Sequence, residues 1–510
     1  MTPTSTDCIP EQFKFGRVKS RQVIVDFQGG RITSDAGLTL IADLDQKLKI
    51  TSRLAACFQD YRHPNRVEHS LESLVAQRVY GLVQGYEDLN DHDQLRCDPM
   101  FALAVGKIIG DGTQPVVLAG KSTLNASTPL SVETERSRSL NRLEHCPETV
   151  TNRVESRYHR IGHNTVAIEK LFIEWFLESY TKPPKRIVLD LDVTDDQVHG
   201  EQEGAFFNTY YDGFCYAPLY IFCGKHLLVA KLRPSNVDPA DGALEELERV
   251  IEQIRHRWPQ VSILVRGDSA YVREEIMAWC ESQVGVDYVF GLSQNSRLMA
   301  MTLETQRKAR ASYEDTKQTV ESFLETLFHP DEELKESENL VLPCVLYRSL
   351  NYQTQKSWRR FRRVVSKVES SHTGVKVRFV VTSLPADKVP PGELYTQRYC
   401  PRGEMENRFK EQQLELFSDR TSTHTFEGNQ LRLWFSSVAY VLMNALRSRC
   451  LASTDLRCAQ VGTIRTKLLK LGARLLVSVR RVVVSISSGC PYQDIFTTAY
   501  RCLQTLPHPG

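Results

Sequence analysis

Two short runs, Ile187-Val188-Leu189-Asp190-Leu191-Asp192 and Ile263-Leu264-Val265-Arg266-Gly267-Asp268, constrain this chain most. Apolar residues stand at both odd and even positions, so neither run has a polar face, and each reads as a buried strand. Each also ends in a carboxylate. A third segment, Tyr399-Cys400-Pro401-Arg402-Gly403-Glu404-Met405-Glu406-Asn407-Arg408-Phe409-Lys410, reads as the start of a helix carrying an acid among bases. Two strand-borne aspartates and a helix-borne glutamate make a pocket for two divalent cations, which suits cutting and joining phosphodiesters.

The frame around these segments is large. At 510 residues the chain exceeds one compact core, and length alone suggests roughly three domains. Net charge is only +2, so no global basic signal announces nucleic acid. The charge is uneven, however. Residues 447–510 hold ten Lys or Arg against two Asp or Glu, and Lys356-Ser357-Trp358-Arg359-Arg360-Phe361-Arg362-Arg363 is a second basic run. The 13 cysteines include no Cys-x-x-Cys pair, which argues against a zinc ribbon and a secreted disulfide scaffold. Reduced thiols in a cytosol are the simpler reading. Residues 1–14 lack the pattern of a signal peptide, and no apolar stretch approaches the roughly 20 residues that span a bilayer. The expectation is a cytoplasmic protein with no membrane partner.

Along the chain, residues 22–27 alternate apolar and polar as a half-buried strand does. Ser34 can cap a helix whose apolar face holds Leu38, Ile41, Leu44 and Leu48. Further helices are expected over 70–86 and 167–180, and Lys182-Pro183-Pro184-Lys185 looks like a boundary. Residues 1–182 therefore read as a mostly helical N-terminal region, expected to bind DNA together with the basic run and the C-terminal tail. Strands follow over 186–191, 218–223, 226–232, 262–266 and 287–292, with helices over 242–257 and 274–282. Strands first, then alternating helices and strands, suggest an α/β fold with a mixed sheet flanked by helices. That core would occupy 183–295 and resume over 396–450. Between them, 296–395 reads as a β-rich insertion with strands at 341–348, 362–368 and 375–382, and 451–510 is a basic C-terminal region.

Each acid has a bland alternative. Asp190 and Asp192 are two apart on a strand and face the same way. Thr194 is the next same-face position and can hydrogen-bond the site, so Asp192 is favoured as ligand, with Asp190 as its supporting partner. Asp268-Ser269 can equally start a turn or cap a helix. Glu406 has Arg402 four residues before it, Lys410 four after and Gln413 seven after, which is also the pattern of a solvated ion-pair ladder. Their order in the chain is more telling than any one alone. Magnesium takes oxygen ligands, and Tyr399, Arg402 and Lys410 could hold DNA phosphates beside it.

These residues resemble the transposases of bacterial insertion sequences in the RNase H-like DDE superfamily. They resemble more narrowly the branch with a β-rich insertion before the last acid and a Tyr-x2-Arg-x3-Glu-x6-Lys signature. Tyr399, Arg402 and Glu406 match that spacing, whereas the expected lysine falls on Gln413. Lys410, one turn earlier, is the substitute. Further likeness lies in Gly85-Tyr86-Glu87-Asp88-Leu89-Asn90-Asp91-His92-Asp93, Leu118-Ala119-Gly120-Lys121-Ser122-Thr123-Leu124, Arg266-Gly267-Asp268-Ser269 and Phe426-Glu427-Gly428-Asn429-Gln430-Leu431-Arg432, which look like the insertion-sequence family numbered thirteen-eighty. The resemblance implies an RNase H-like fold and a catalytic, metal-binding triad of Asp192, Asp268 and Glu406. It implies two Mg2+ or Mn2+ ions, and double-stranded DNA (terminal inverted repeats and target) as partner. A homodimer on DNA and a nucleoid-associated place in a bacterial cytoplasm follow.

Other features carry less. Gly120-Lys121-Ser122-Thr123 lacks the earlier glycine of a phosphate loop, since Pro115 stands there. Asp88, Asp91, His92 and Asp93 read as a capped polar loop rather than a metal cluster. Trp358, with Arg359 and Arg360, could stack a base or contact backbone, or could pack inward as a strand aromatic. Two other functions stand beside the transposase: a DNA-binding relative whose chemistry is lost, suggested by Gln413, and a carbohydrate-active enzyme using an acid pair, against which the basic tail speaks.

Overall fold

The computed structural model describes residues 12–107, 117–120, 143–144, 146, 148, 161–327, 341–478 and 480–507. Lys121-Ser122-Thr123-Leu124, part of one family-like motif, lies outside them. The chain forms two compact units, one from Met1–Ile168, Glu411–Arg420 and Glu427–Gly510, the other from Glu169–Lys410 and Thr421–Phe426.

The second unit is built on one eight-stranded sheet: β1 (Arg186–Val193), β2 (Leu219–Cys223), β3 (His226–Lys231), β4 (Ser262–Gly267), β5 (Val286–Leu292), β6 (Cys344–Tyr352), β7 (Arg362–Ser371) and β8 (Gly374–Thr382). Their spatial order is β3-β2-β1-β4-β5-β8-β7-β6. β1, β2 and β3 form an antiparallel meander, and β4 and β5 run parallel to β1. That is the strand order and sense of an RNase H-like sheet, embedded in a mixed α/β unit. The apolar runs fall where continuous hydrophobicity belongs, on central strands, with Leu189, Leu191, Val265 and all of β2 buried. Helix Ala243–Arg257 covers the sheet with Leu247, Val250, Ile251 and Ile254, spaced for one helical face.

Residues 296–395 differ from the expected polar, strand-rich stretch. They begin with helices Ser296–Met301 and Leu303–Leu327, and the three expected strands lengthen the core sheet instead of forming a sheet of their own. β8 pairs antiparallel with β5 across Val289↔Thr382 to Leu292↔Phe379, so Val380 and Val381 join the same packing as Val289 and Phe290. The long helix escaped notice because it is mostly solvated, with Ala309 and Tyr313 among its few buried residues.

At the start of β7, Arg362 is buried and donates to both oxygens of Glu281 (2.8 and 3.0 Å) and both of Glu274 (2.6 and 3.2 Å). The pairing holds both carboxyls below the usual range, against the opposing effect of burial. Arg362→Ala would leave two carboxylates without their shared cation. We expect it to lower the urea-unfolding free energy by about 3–5 kcal/mol, while Arg360→Ala, at an exposed position beside it, costs under about 1 kcal/mol.

In the first unit, Ser70 caps the expected helix (Leu71–Gln84), its hydroxyl accepting from the Ser73 amide. Ser34 caps nothing: its hydroxyl donates to Asp35, and the helix after it starts at Leu38 behind Gly37. Helix Phe426–Ala445, expected in the core, belongs here from Glu427 on. Its Phe435 stacks on Phe58 (6.1 Å) and its Trp434 meets His163 edge-on (6.0 Å). Those partners are far away in sequence, so no local pattern could reveal them.

Candidate active site

Asp192 is the second-to-last residue of β1 and Asp268 directly follows β4, two adjacent parallel strands that deliver both carboxylates to one end of the sheet. Each carboxylate has one oxygen tied locally and one turned to the site. For Asp192, Oδ1 accepts from the Val193 amide (3.0 Å) and Oδ2 accepts from Arg402 Nη2 (2.7 Å). For Asp268, Oδ1 accepts from the Ala270 amide (2.9 Å) and Oδ2 lies 4.0 Å from the same Arg402 Nη2. The turn-capping role foreseen for Asp268 is thus real and leaves its second oxygen available. A β-carbon at Gly267 would come within 2.6 Å of the Tyr271 ring, so only glycine admits this tight strand end.

The two aspartates and Arg402 line a cavity of about 670 Å³ whose wall also includes Tyr210, Tyr211 and Arg273. Burial pushes the Asp192 carboxyl up to about 6; Arg402 opposes the shift and nearby Asp268 adds to it. A carboxylate that is this costly to ionise, beside another acid, is a site poised for a stronger cation. Arg402 Nη2 stands in for that cation here, and Arg402 Nε is buried with no acceptor among the described residues. The pair therefore fits a divalent metal.

Asp190 faces the same way as Asp192 but is engaged differently. Arg266 grips it with two bonds, Nε to Oδ1 and Nη2 to Oδ2 (2.8 Å), and also donates to the Arg398 carbonyl (2.8 Å). Arg266 and Asp190 are register partners on β4 and β1, so the pair locks the two acid-bearing strands together. Sequence reading missed Arg266; the available signal was its place two residues before Asp268 on a neighbouring apolar strand. Thr194 lies just past the end of β1 and is half-buried.

The helical segment after Pro390 starts earlier than expected and is not regular. Pro391–Glu393 is α-helical, Leu394–Tyr399 a π turn, Cys400–Gly403 a 3-10 turn, Glu404–Lys410 α-helical again and Glu411–Glu415 a second π turn. Pro401 has no amide hydrogen to give the preceding turn, which accounts for the irregular winding around it. Arg402, Glu406, Lys410 and Gln413 consequently do not form one regular face. Gln413 lies beyond the α-helical turn, in the first unit. At the π turn, a β-carbon on Gly291 would fall 2.5 Å from the Tyr399 hydroxyl, so Tyr399 packs against β5 because residue 291 has no side chain.

Helix Glu404–Lys410 is fixed to the sheet by Met405 and Phe409, one turn apart and buried. Phe409 packs on Tyr220 and Phe222 (5.2 and 6.0 Å), and these are the cross-strand partners of Asp192 and Asp190. Cross-strand partners share a face, so the helix covers the face from which both aspartates project. Glu406 follows Met405 by one residue, about 100° around the helix, and points to solvent. It is 70% exposed and pairs with Lys410 at 2.8 Å, which lowers its pKa. Among the described residues, no three His, Cys, Asp or Glu side chains are grouped closely enough to hold a metal. The structure brings Asp192, Asp268 and Arg402 together and leaves Glu406 outside that group.

The basic run is corrected in one respect. Trp358 is 4% exposed and meets Tyr352 edge-on at 5.6 Å, with Arg362 over its ring, so it is a core aromatic rather than a surface for a base. Arg360 is paired with Glu281, and Arg359 is exposed. The Asp88 loop is capped as expected: Asp88 and Asp91 form a capping box, and Asp88 accepts from Arg420 (3.1 Å).

The sequence profile of one family, described as "Transposase DDE domain group 1", matches residues 15–508. A comparison with curated proteins found no match. Among solved structures, a cryo-EM structure of the piggyBac transposase synaptic complex with hairpin DNA is similar over 86% of each chain, with 10% identity and a TM-score of 0.32.

Proposed function

The chain belongs to the transposase DDE domain group 1 family, and from that membership we propose how its residues divide the work of a DNA transposase. Asp192 and Asp268 would hold divalent metal, Mg2+ or Mn2+ as a pair of ions, with Glu406 as the third ligand. When bound, such ions supply Lewis-acid polarisation of a phosphodiester and a more acidic attacking hydroxyl. Arg402, which neutralises the two aspartates in this structure, would turn its guanidinium to the phosphate, where charged hydrogen bonds are strongest. Tyr399 and Lys410 would contact neighbouring phosphates, and the Asp190–Arg266 pair would keep the strand ends in register. The reaction is hydrolysis at the transposon end, then attack of the freed 3′-hydroxyl on target DNA. A dimer on DNA follows from the need to cut two ends together. On the segments 85–93, 118–124, 266–269 and 426–432 we further propose the thirteen-eighty branch of insertion sequences.

The observation that carries this reading is the convergence of Asp192 and Asp268 on a single Arg402 nitrogen. The second reading, a DNA-binding relative without chemistry, draws on the outward Glu406–Lys410 pair and on Gln413. The full chain, incubated with duplex carrying its own element's end, separates them. Nicking that leaves a 3′-hydroxyl, present with Mg2+ and abolished by EDTA, supports the transposase mechanism. Salt-sensitive binding without cleavage in either Mg2+ or Mn2+ supports the second reading.

A further inference from the structure

We propose that a basic β-ribbon of the first unit, joining both ends of the chain, is a docking surface for double-stranded DNA. The proposal rests on the DNA transposase reading but not on its catalytic residues. Strands Phe13–Val18 and Arg21–Val25 form a hairpin that pairs with no other strand among the described residues, and every residue in both strands is exposed. A lone hairpin is marginal in water, so this one needs a surface to bind. It leads through Gly29-Gly30 into Arg31–Thr33, which pairs with Ala473–Ser478, itself paired with Arg481–Ile486. A β-carbon on Gly30 would lie 3.5 Å from Arg474 Nε, so the link between the hairpin and Arg31–Thr33 runs close to a cation of the C-terminal strands.

Charge selects the partner. Across 12–33 and 473–486 stand Lys14, Arg17, Lys19, Arg21, Arg31, Arg474, Arg480 and Arg481 against Asp26 alone, a net +7 in a chain whose total is +2. Lys14, Arg17, Lys19, Arg21, Arg474, Arg480 and Arg481 are all exposed. A second copy of the chain would set +7 against +7, whereas a phosphate backbone complements it. A two-stranded ribbon also fits the major groove in width. The apolar side chains have a use in this setting. Phe13, Phe15, Val23 and Val25 share one hairpin face by register, Phe27 packs edge-on to Phe13 at 5.9 Å, and Phe27 is 90% exposed. Such rings meet sugar and base edges while the cations meet phosphates.

The test measures binding of the full chain to a labelled 40-bp duplex, once with unrelated sequence and once with the element's end, across KCl concentration. Each phosphate contact contributes about 0.9 to the slope of log K against log salt. The variant with Lys14, Arg17, Lys19 and Arg21 all changed to Ala is expected to lose about 3–4 from that slope on both duplexes. Its affinity at low salt should fall at least about a hundredfold. Phe15→Ala with Phe27→Ala is expected to weaken binding roughly tenfold with the slope unchanged, because apolar contacts release no counterions. If wild type binds with a steep salt slope and the fourfold variant matches it, the ribbon proposal is overturned and the DNA reading stands. The proposal is likewise overturned if that variant keeps its slope but changes from dimer to monomer, since the ribbon then meets a second copy. If wild type shows no salt-dependent binding, the DNA reading fails and takes the proposal with it.

Discussion

Asp192→Asn and Asp268→Asn are each expected to lower cleavage of the element's end by at least about a thousandfold, and the two changes together to do no more harm than either alone. The magnitude and the lack of additivity are those of groups that act as one unit. The Arg402 contact shared by both carboxylates is the structural basis for treating them so. Unfolding is not the cause of the loss, and the Asp192 variant should show this directly. Burial raises the folded pKa of Asp192 to about 6 from an ordinary 3.8, so the folded protein binds its proton more tightly than the unfolded chain. The contribution of this group to stability therefore falls as pH rises from about 4 to 6, and above 6 the ionised side chain costs on the order of 3 kcal/mol. Asn removes that cost. The inactive variant should resist urea better than wild type at pH 7.5 and lose this advantage at pH 4. Equal cleavage by the Asp268 variant and wild type would remove Asp268 from the site.

The second large effect is on stability toward acid and lies in the first unit. His92 is fully buried, and its Nδ1 faces the Gln77 side-chain amide at 3.1 Å. The same Gln77 nitrogen also donates to the Ala119 carbonyl (2.7 Å), which fixes it as the donor. An imidazolium would set N–H against N–H there. Burial pushes the His92 pKa down to about 3, the nearby Arg78 adds to the shift, and Glu144 opposes it. A depressed histidine pKa means that the unfolded chain takes up the proton first. Stability from this group is intact above about 6.5 and is lost as pH falls toward 3. At pH 4.5 the loss is on the order of 2–3 kcal/mol. Buried Asp45 and half-buried Asp98, with raised pKa values, act in the opposite sense, so the comparison must be with His92→Gln and not with total stability. Urea unfolding at pH 7 and pH 4.5 should show a smaller acid penalty in the variant than in wild type; equal penalties would exclude His92 as the source.

Much of the second unit was legible in sequence because its central strands are buried on both faces, and such strands are written as uninterrupted apolar runs. β1, β2 and β4 lie within a few residues of where hydrophobicity alone sets them, and helix Glu274–Ser282 matches its expected bounds. What periodicity does not carry was missed. The helix Leu303–Leu327 is solvated and shows only a weak apolar stripe. The joining of β8 to β5 is a long-range pairing with no local mark. At the site, the acids on strands could be oriented from the two-residue repeat, and both face one cavity. Arg402 could be seen near Glu406 but not across from Asp192, because that contact depends on a helix whose winding Pro401 disturbs. Glu406 points to solvent here, where its ion pair with Lys410 at i,i+4 is satisfied within the helix, as the ion-pair ladder alternative allowed.

The central claim is that Asp192, Asp268 and Glu406 serve one metal site, with Glu406 recruited when DNA is bound. Mn2+ titration followed by its paramagnetic resonance, on the full chain bound to duplex carrying its element's end, tests this without relying on turnover. The account predicts that wild type binds Mn2+ and that Asp192→Asn, Asp268→Asn and Glu406→Gln each weaken it at least about tenfold. Mn2+ binding by Glu406→Gln that equals wild type, with DNA present, would contradict it.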